Sequence, residues 1–345
     1  MLLVDGSTGE GGGQILRMAV ALAATTLTEV RVEGIRAGRP SPGLAAQHVT
    51  AVKAVAALCA AEVEGLEVGS KAITFRPGPI EAGRHAFDVG TAGAVTLVLQ
   101  ACLPVAFAAP GPVRIRLVGG TDVRWSPPVD YVSRVLLPLL RRLGGPADLL
   151  LLRRGYYPRG GGAIELSTRP ADGWAPLAVD APGVVRSVRG IAHVSNLPED
   201  IPKRVKHAAM RRLRSLGDVQ IEERVYKGDE AVGQGGAFVL WAETEASVLG
   251  CASLAERGKP SERVGQEAAG ALLSELESGA SLDVHAADQV LPYLALAPGP
   301  SSFTVREATG HLRTMAWLVE KLLGREVRIE PQNRLWRVAV PGPRS

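Results

Sequence analysis

Cysteine is scarce in this chain: of 345 residues only Cys59, Cys102 and Cys251 are cysteines, each alone inside an apolar pattern. Without a Cys-x-x-Cys pair, a disulfide framework and a zinc site are excluded, and the three read as buried thiols. No apolar run reaches the ~18 residues that span a bilayer. The short apolar stretch 19–26 lies behind a glycine-rich loop, with no cleavage-like small-residue site behind a basic flank, so it is not a secretory leader. A soluble cytoplasmic protein that makes no use of a membrane is expected. An excess of charge of one sign is also missing. The net charge is +4 and no basic tail is present, so any affinity for nucleic acid has to come from a local patch. Aromatic residues make up 4% of the chain, and its five tryptophans are scattered, offering no stacking platform of the kind single-strand binders use. What is there is 46% hydrophobic and 21% charged, a foldable globular composition long enough for about two to three domains.

The apolar stretches recur with a common punctuation. Gly9-Glu10-Gly11-Gly12-Gly13-Gln14 precedes one helical run, Gly90-Thr91-Ala92-Gly93 a second, and His285-Ala286-Ala287-Asp288-Gln289 a third. Each is followed by a strand and a further helix start, at 41–44, 126–129 and 309–312. Periodicity predicts a strand over 1–4, a helix over 14–26, a strand over 29–35, a helix over 43–61, and a hairpin from 61–66 and 72–76. The same order returns over 86–89, 94–108, 113–118, 130–143, 147–152 and 163–168. A third round begins at 177–180, breaks off, and resumes over 285–296, 302–306, 312–323, 326–330 and 335–340. The intervening residues carry their own pattern of strand, Arg/Lys-rich helix, strand, two strands and helix. An α+β fold is therefore expected, with three β-α-β-α-β-β repeat units forming a large domain, residues 1–183 plus 283–341. A smaller α+β domain, 184–282, is inserted in the third repeat.

Three local clusters carry chemistry. The loop 9–13 follows a strand and opens a helix, which suits either a tight structural turn or the approach of a phosphate to backbone N–H groups. It is no Walker loop, because Gly-Lys-Ser/Thr does not follow, and no full dinucleotide fingerprint. Glu10 tips the balance, since a carboxylate in a phosphate-accepting loop repels its ligand unless a divalent cation lies between them. Arg17 sits one helical turn beyond Gly13 on the loop-facing side. The second cluster is Arg36-Ala37-Gly38-Arg39-Pro40-Ser41-Pro42-Gly43-Leu44-Ala45-Ala46-Gln47-His48, in which two arginines three apart precede Gln47 and His48 on a helix. It reads as an oxyanion clamp or as a solvated loop before a capped helix. The third is His311, where the third repeat sets an imidazole at a helix N-terminus, the end of a helix that favours anions.

Taken with Gly119-Gly120-Thr121-Asp122, Ser126-Pro127-Pro128, Tyr156-Tyr157-Pro158-Arg159-Gly160-Gly161-Gly162 and Ala287-Asp288-Gln289, these clusters closely resemble the RNA 3′-terminal phosphate cyclases, in order and over nearly the whole chain. The resemblance implies the same three-repeat fold with an inserted domain. At the level of repeat topology, the chain also resembles the enolpyruvyl transferases. It further implies ATP-dependent conversion of an RNA 3′-terminal phosphate to a 2′,3′-cyclic phosphate, through a covalent histidine–AMP enzyme and an RNA(3′)pp(5′)A intermediate. His311 matches the nucleophile, and Glu10 matches the carboxylate associated with a divalent cation, Mg2+ or Mn2+. Arg17, Arg36 and Arg39 match phosphate-binding arginines, and Gln47 and His48 match polar groups near the reacting phosphates. Gln100, Asp288 and Gln289 match nucleotide-site positions, and Pro127 matches a proline packed on adenine. Two positions depart from the pattern: His285 stands where some members have an adenine-stacking tyrosine, and Met315 stands where the helix often carries asparagine. The implied partners are ATP and RNA with a 3′-terminal phosphate, with a homodimer kept open.

Two alternatives come from other classes: a non-catalytic RNA-binding or ribosome-biogenesis scaffold on the same fold, and an enolpyruvyl-type transferase. A scaffold has no use for a nucleophile beside a phosphate cradle, and an enolpyruvyl transferase needs neither a nucleophilic histidine nor ATP. The remaining histidines His85, His193 and His207 have no matched partners in the sequence and are expected at the surface or in packing. Lys203, Arg204, Lys206, Arg211, Arg212 and Arg214 form either an RNA-facing patch or the solvated side of an amphipathic helix with Val205, Ala209 and Leu213 inward.

Overall fold

In the computed structural model residues 1–343 are described. Strand β1 (Leu2–Asp5), helix α1 (Gly13–Thr26), β2 (Val30–Glu33), α2 (Ala46–Leu58), β3 (Glu62–Glu64) and β4 (Ile73–Arg76) form the first unit. Next come β5 (Gly83–Asp88), α3 (Val95–Phe107), β6 (Val113–Gly119), α4 (Val129–Tyr131) running through a π-helical turn (Val132–Leu136) into α5 (Leu137–Arg142), β7 (Ala147–Gly155) and β8 (Gly162–Thr168). After β9 (Ala178–Val179), the chain makes β10 (Val185–Ser195), α6 (Asp200–Leu213), β11 (Val219–Tyr226), β12 (Ala231–Val232), β13 (Gly235–Thr244), β14 (Val248–Leu254) and α7 (Ser261–Ser278). It ends with α8 (Val284–Leu296), β15 (Ser301–Val305), α9 (Gly310–Leu323), β16 (Arg328–Gln332) and β17 (Leu335–Val340).

Three of the four sheets share one pairing sequence. In the first the order is β1-β2-β4-β3, with β1 parallel to β2 and the rest antiparallel. The second contains β5-β6-β8-β7 and the third β9-β15-β17-β16, with the same senses. The parallel step follows from a crossover helix and the antiparallel steps from short connections. The second sheet gains an extra edge that the sequence pattern did not suggest, because Ala231 and Val232 pair in parallel with Arg154 and Gly155.

Helix α1 reads Gly-Gln-Ile-Leu-Arg-Met-Ala-Val-Ala-Leu-Ala-Ala-Thr-Thr and is buried without a break from Gln14 to Ala24. Apolar on every side, it can only lie inside the protein, and it packs against α2, α3 and α9. The fourth sheet, β11-β10-β13-β14, shows how period-2 alternation serves two cores. Phe238, Leu240 and Ala242 face α6 and α7, whose Val205, Ala209, Leu213, Val264, Ala268 and Leu272 close a small apolar cluster. Val239 and Trp241 point the other way and join the main core. The inward stripe expected on α6 is thus present. Among the described residues no helix is long and apolar enough to cross a membrane, and the three cysteines are free and buried.

Candidate active site

Helices α1, α2 and α9 and the loop 9–12 bring the sequence-predicted groups to one end of the core. Residues Thr309 and His311 show how. The Thr309 hydroxyl accepts from the Leu312 N–H at 3.1 Å and caps α9, which sets His311 in the first turn. Gly310 is required beside it, since a Cβ there would lie 2.4 Å from the Glu10 carboxylate. Gly13 serves α1 in the same way: a Cβ would meet His48 Nε2 at 2.2 Å and Arg17 Nη1 at 2.8 Å. Close approach, not turn geometry, demands glycine at these two positions.

The His311 ring is held at both nitrogens. Its Nδ1 lies 3.1 Å from Gln14 Oε1 and its Nε2 3.2 Å from Glu10 Oε2. Gln14 Nε2 in turn donates to Asp288 Oδ2 at 2.7 Å. Because a carboxylate oxygen only accepts, the Gln14 amide must turn its nitrogen to Asp288 and its oxygen to His311. Both ring nitrogens thus face an acceptor oxygen: Gln14 favours the proton on Nδ1, which leaves the Nε2 lone pair free, and Glu10 competes for it at Nε2. Partial burial holds the His311 pKa below the usual histidine range; Glu10 opposes the shift, while Arg17, Arg39 and His285 reinforce it. Burial, with Asp283 and Glu10 nearby and Arg17 opposing, pushes the Asp288 carboxyl up to about 7.

Arg17 is the most unusual charge in the molecule. Its side chain is 8% exposed and makes no ion pair or hydrogen bond among the described residues. Burial lowers its pKa to about 10, so it stays cationic at neutral pH. His48, buried next to it, is pushed down to about 3, first by burial and then by Arg17 and Arg36. It is a neutral imidazole whose Nδ1 accepts from the Ala45 N–H at 3.2 Å.

A cavity of about 460 Å³ opens beside these groups, lined by Arg17, Gln100, Pro127, His285, Asp288, Gln289 and His311 among others. Gln100 Nε2 donates to Gln289 Oε1 at 2.5 Å, joining α3 to α8 across it. His285 packs edge-on to Tyr131 at 6.5 Å and is exposed, free to cover a flat ligand. Asp283 accepts from the His285 and Ala286 N–H groups, from Tyr131 Oη and from the Gly250 N–H, fixing the start of α8.

The other expected residues lie outside this lining. Glu10 adjoins it through His311, and Arg39 Nη2 stands 4.0 Å from Glu10 Oε2. Arg36, with φ +54, turns its Nη1 back to the Gly43 carbonyl at 2.8 Å. Gln47 Oε1 accepts from the Ala94 N–H at 3.1 Å and so serves the start of α3. The structure places these two as much in loop and helix-end support as toward the cavity.

Gln14 was missed in the sequence, although a signal existed. It and Arg17 are polar residues three apart on an otherwise apolar buried helix, hence on one face. His193 is buried, 2% exposed, as a packing residue would be, and its Nε2 lies 3.5 Å from Asp122 Oδ1 and 3.6 Å from Asp130 Oδ2, partners that the sequence did not reveal. Asp122, Asp130 and His193 have metal-ligand spacing. Yet the Arg154 guanidinium fills the space between the carboxylates, at 3.2 Å and 2.7 Å, so the cluster holds an internal cation.

Fold and site together describe an α+β protein with a histidine held at both ring nitrogens and a buried arginine without a direct ion pair at the end of a cavity. The chain belongs to the RNA 3′-terminal phosphate cyclase family: the family model of that description matches residues 8–329. A protein named RNA 3′-terminal phosphate cyclase from Nitrosospira multiformis is 50% identical over 97% of this chain and 95% of its own. One from Methanopyrus kandleri is 48% identical over 95% of each, and one from Pyrococcus furiosus 44% identical over 96% and 95%. The solved enolpyruvyl transferase NikO from Streptomyces tendae aligns with 99% of this chain and 82% of its own at 13% identity, with a TM-score of 0.28. That likeness is too slight to bear on the fold.

Proposed function

We propose that this protein converts an RNA 3′-terminal phosphate to a 2′,3′-cyclic phosphate at the expense of ATP, with His311 as nucleophile. The observation that carries the proposal is Arg17. A buried cation with no direct ion pair or hydrogen bond, balanced only by the more distant Asp288, is costly, and it lies at the cavity that His311 borders. A polyanion is the ligand that relieves the cost.

In the first step, His311 Nε2 attacks the α-phosphorus of ATP. The bond to the bridging oxygen breaks, pyrophosphate leaves, and AMP remains on the imidazole. Gln14 keeps the Nδ1 proton in place, so the lone pair stays on Nε2. Arg17 meets the charge gathering on the transferring group, and Arg39 adds a second cation from the loop side. Pro127 and His285 would enclose the adenine, with Gln100, Asp288 and Gln289 at its edge. An oxygen of the RNA 3′-phosphate then takes the adenylate and releases His311. Finally the neighbouring 2′-hydroxyl attacks the activated phosphorus and AMP departs. Glu10 would hold a divalent cation together with substrate phosphates, a single-carboxylate arrangement that suits Mg2+ or Mn2+. Its partly exposed carboxylate, whose ion-pair partners among the described residues are Arg39 and His311, fits that use. When bound, such an ion would neutralise phosphate charge and draw Glu10 away from Nε2.

The shared strand order of three sheets supports reading them as three repeats, and the separate apolar cluster under α6 and α7 supports an inserted unit over 184–282. The decisive experiment is incubation with α-labelled and γ-labelled ATP. Only the α-label should be retained on denatured protein, lost in acid, stable in alkali, and absent in His311→Ala. Retention by His311→Ala, or an alkali-labile adduct, overturns the assignment.

A further inference from the structure

Next to the nucleotide cavity lies a second one of about 870 Å³, which none of the proposed chemistry uses. The end of β14 is the wall between them. Ala252 and Leu254 line the first cavity, while Ala255 and Glu256 line the second. Across the top, Arg124 grips Glu256 with two hydrogen bonds, Nε to Oε1 at 3.0 Å and Nη2 to Oε2 at 2.6 Å. The residue after Arg124 is Trp125, which lines the nucleotide cavity yet is 93% exposed and held at φ +61. At the second cavity Tyr157 is 80% exposed. A large aromatic side chain left in water at each mouth, with no packing to explain it, marks a surface awaiting a flat partner.

The charges at the second cavity point the same way. Its carboxylate Glu256 is already matched by Arg124, and Lys259 is held by Glu267 and Ser253. Arg159 and Arg257 are exposed there and have no ion pair or hydrogen bond among the described residues. The uncompensated charge is positive. On α6, Arg204 is bridged to Glu262 and Asp200, and Lys206 to Glu223, while the exposed Lys203, Arg211 and Arg214 stand outside the lining of the cavity.

We propose that the second cavity, with Tyr157, Arg159 and Arg257 at its mouth and Trp125 at the passage to the first, is the track for the RNA strand upstream of its terminal phosphate. Arginines take backbone phosphates and the exposed rings stack bases, a combination tolerant of sequence. This rests on the RNA-cyclase reading for the identity of the substrate, while the binding surface itself can be tested without catalysis.

The test compares the full-length protein with Tyr157→Ala and with the double variant Arg159→Ala/Arg257→Ala, all at exposed positions. Three readouts are needed: self-adenylation by ATP, cyclisation of a 3′-phosphate dinucleotide against a 3′-phosphate oligonucleotide of about ten nucleotides, and anisotropy of a labelled 3′-hydroxyl oligonucleotide that cannot react. The wild type should prefer the longer substrate. Each variant should lower kcat/KM for it about tenfold or more, through KM, and weaken oligonucleotide binding equally. Self-adenylation and dinucleotide cyclisation should be unchanged. In the double variant the log–log salt dependence of binding should fall by about 1.4, two phosphate contacts at ~0.7 each. If the wild type shows no length preference, or the variants retain it with unaltered binding, the track is refuted. If the oligonucleotide binds and the variants weaken it while no substrate is cyclised, the track stands and the assigned reaction falls.

Discussion

Replacing Gln14 by leucine removes two hydrogen bonds while keeping most of the volume of a buried side chain. Gln14 joins Asp288, 2.7 Å from its nitrogen, to His311 Nδ1, 3.1 Å from its oxygen. In Gln14→Leu the imidazole loses the acceptor that competes with Glu10 for its proton, so the balance shifts toward Nε2–H, which faces the Glu10 carboxylate at 3.2 Å. One neutral hydrogen bond is worth about 1–1.5 kcal/mol. Shifting the tautomer by that amount lowers the population of nucleophilic Nε2 about tenfold. Losing ring orientation lowers productive attack further, so a fall of about 30–100-fold in self-adenylation is expected, with ATP binding nearly unchanged because Arg17 is intact. Gln14→Glu separates tautomer from volume. A carboxylate at this position stabilises the imidazolium and raises the His311 pKa, which the nitrogen shifts report directly. The assay is single-turnover labelling with α-labelled ATP between pH 5 and 9, with imidazole nitrogen shifts read by NMR. A Gln14→Leu enzyme that labels within threefold of wild type, or a Gln14→Glu enzyme whose His311 imidazole titrates no higher than in wild type, would refute the relay.

The Asp288 carboxyl, raised to about 7, ought to govern the acid side of adenylation, because its protonation lets the Gln14 amide reverse and present nitrogen to His311. Labelling should therefore fall as pH drops through about 7, above the lowered His311 pKa, and Asp288→Asn, whose oxygen still accepts from Gln14, should be flat across that range. For stability the sign is the reverse. The folded protein holds the Asp288 proton more tightly than the unfolded chain does, so Asp288 costs stability as pH rises from about 4 to 7. Asp288→Asn should add about 2 kcal/mol at pH 8 and little at pH 4 in urea melts, half the full displacement at 1.36 kcal/mol per unit because the side chain keeps some solvent contact. Arg17→Met should stabilise the ligand-free protein by ~1–2 kcal/mol, by removing a buried unpaired cation, while lowering adenylation at least a hundredfold; loss of stability instead would mean that the charge has a counterpart within the fold. Arg154→Met leaves Asp122 and Asp130 facing each other without a cation and should cost about 3–5 kcal/mol in denaturant midpoints; a cost below 1 kcal/mol would show the pair to be solvated.

Much of the architecture is written in local pattern. The all-apolar run of α1 can only be an interior helix, the alternation through 238–242 can only be a strand with two covered faces, and each crossover helix imposes a parallel pair. The family motifs name Glu10, Arg17 and His311 at once, because glycine spacing and helix starts are properties of neighbouring residues. Other features depend on residues far apart in the chain. Gln14 and His311 are 297 positions apart, and Gln14 and Asp288 are 274 apart. No period relates them, so the relay that fixes the imidazole proton exists only once α1, α8 and α9 pack end to end. The same holds for Arg17, whose lack of a direct ion pair is a property of its surroundings, and for His193, whose two carboxylates arrive from the loop after β6 and from α4. Trp125 makes the point in reverse. In the sequence it is one of five scattered tryptophans, and its exposed place at the lining of the first cavity, beside the Arg124–Glu256 bridge, is set by the fold. Chemistry that belongs to one side chain is legible in the chain itself; the proton positions, pKa shifts and unpaired charges that set it to work come from contacts that only the fold creates.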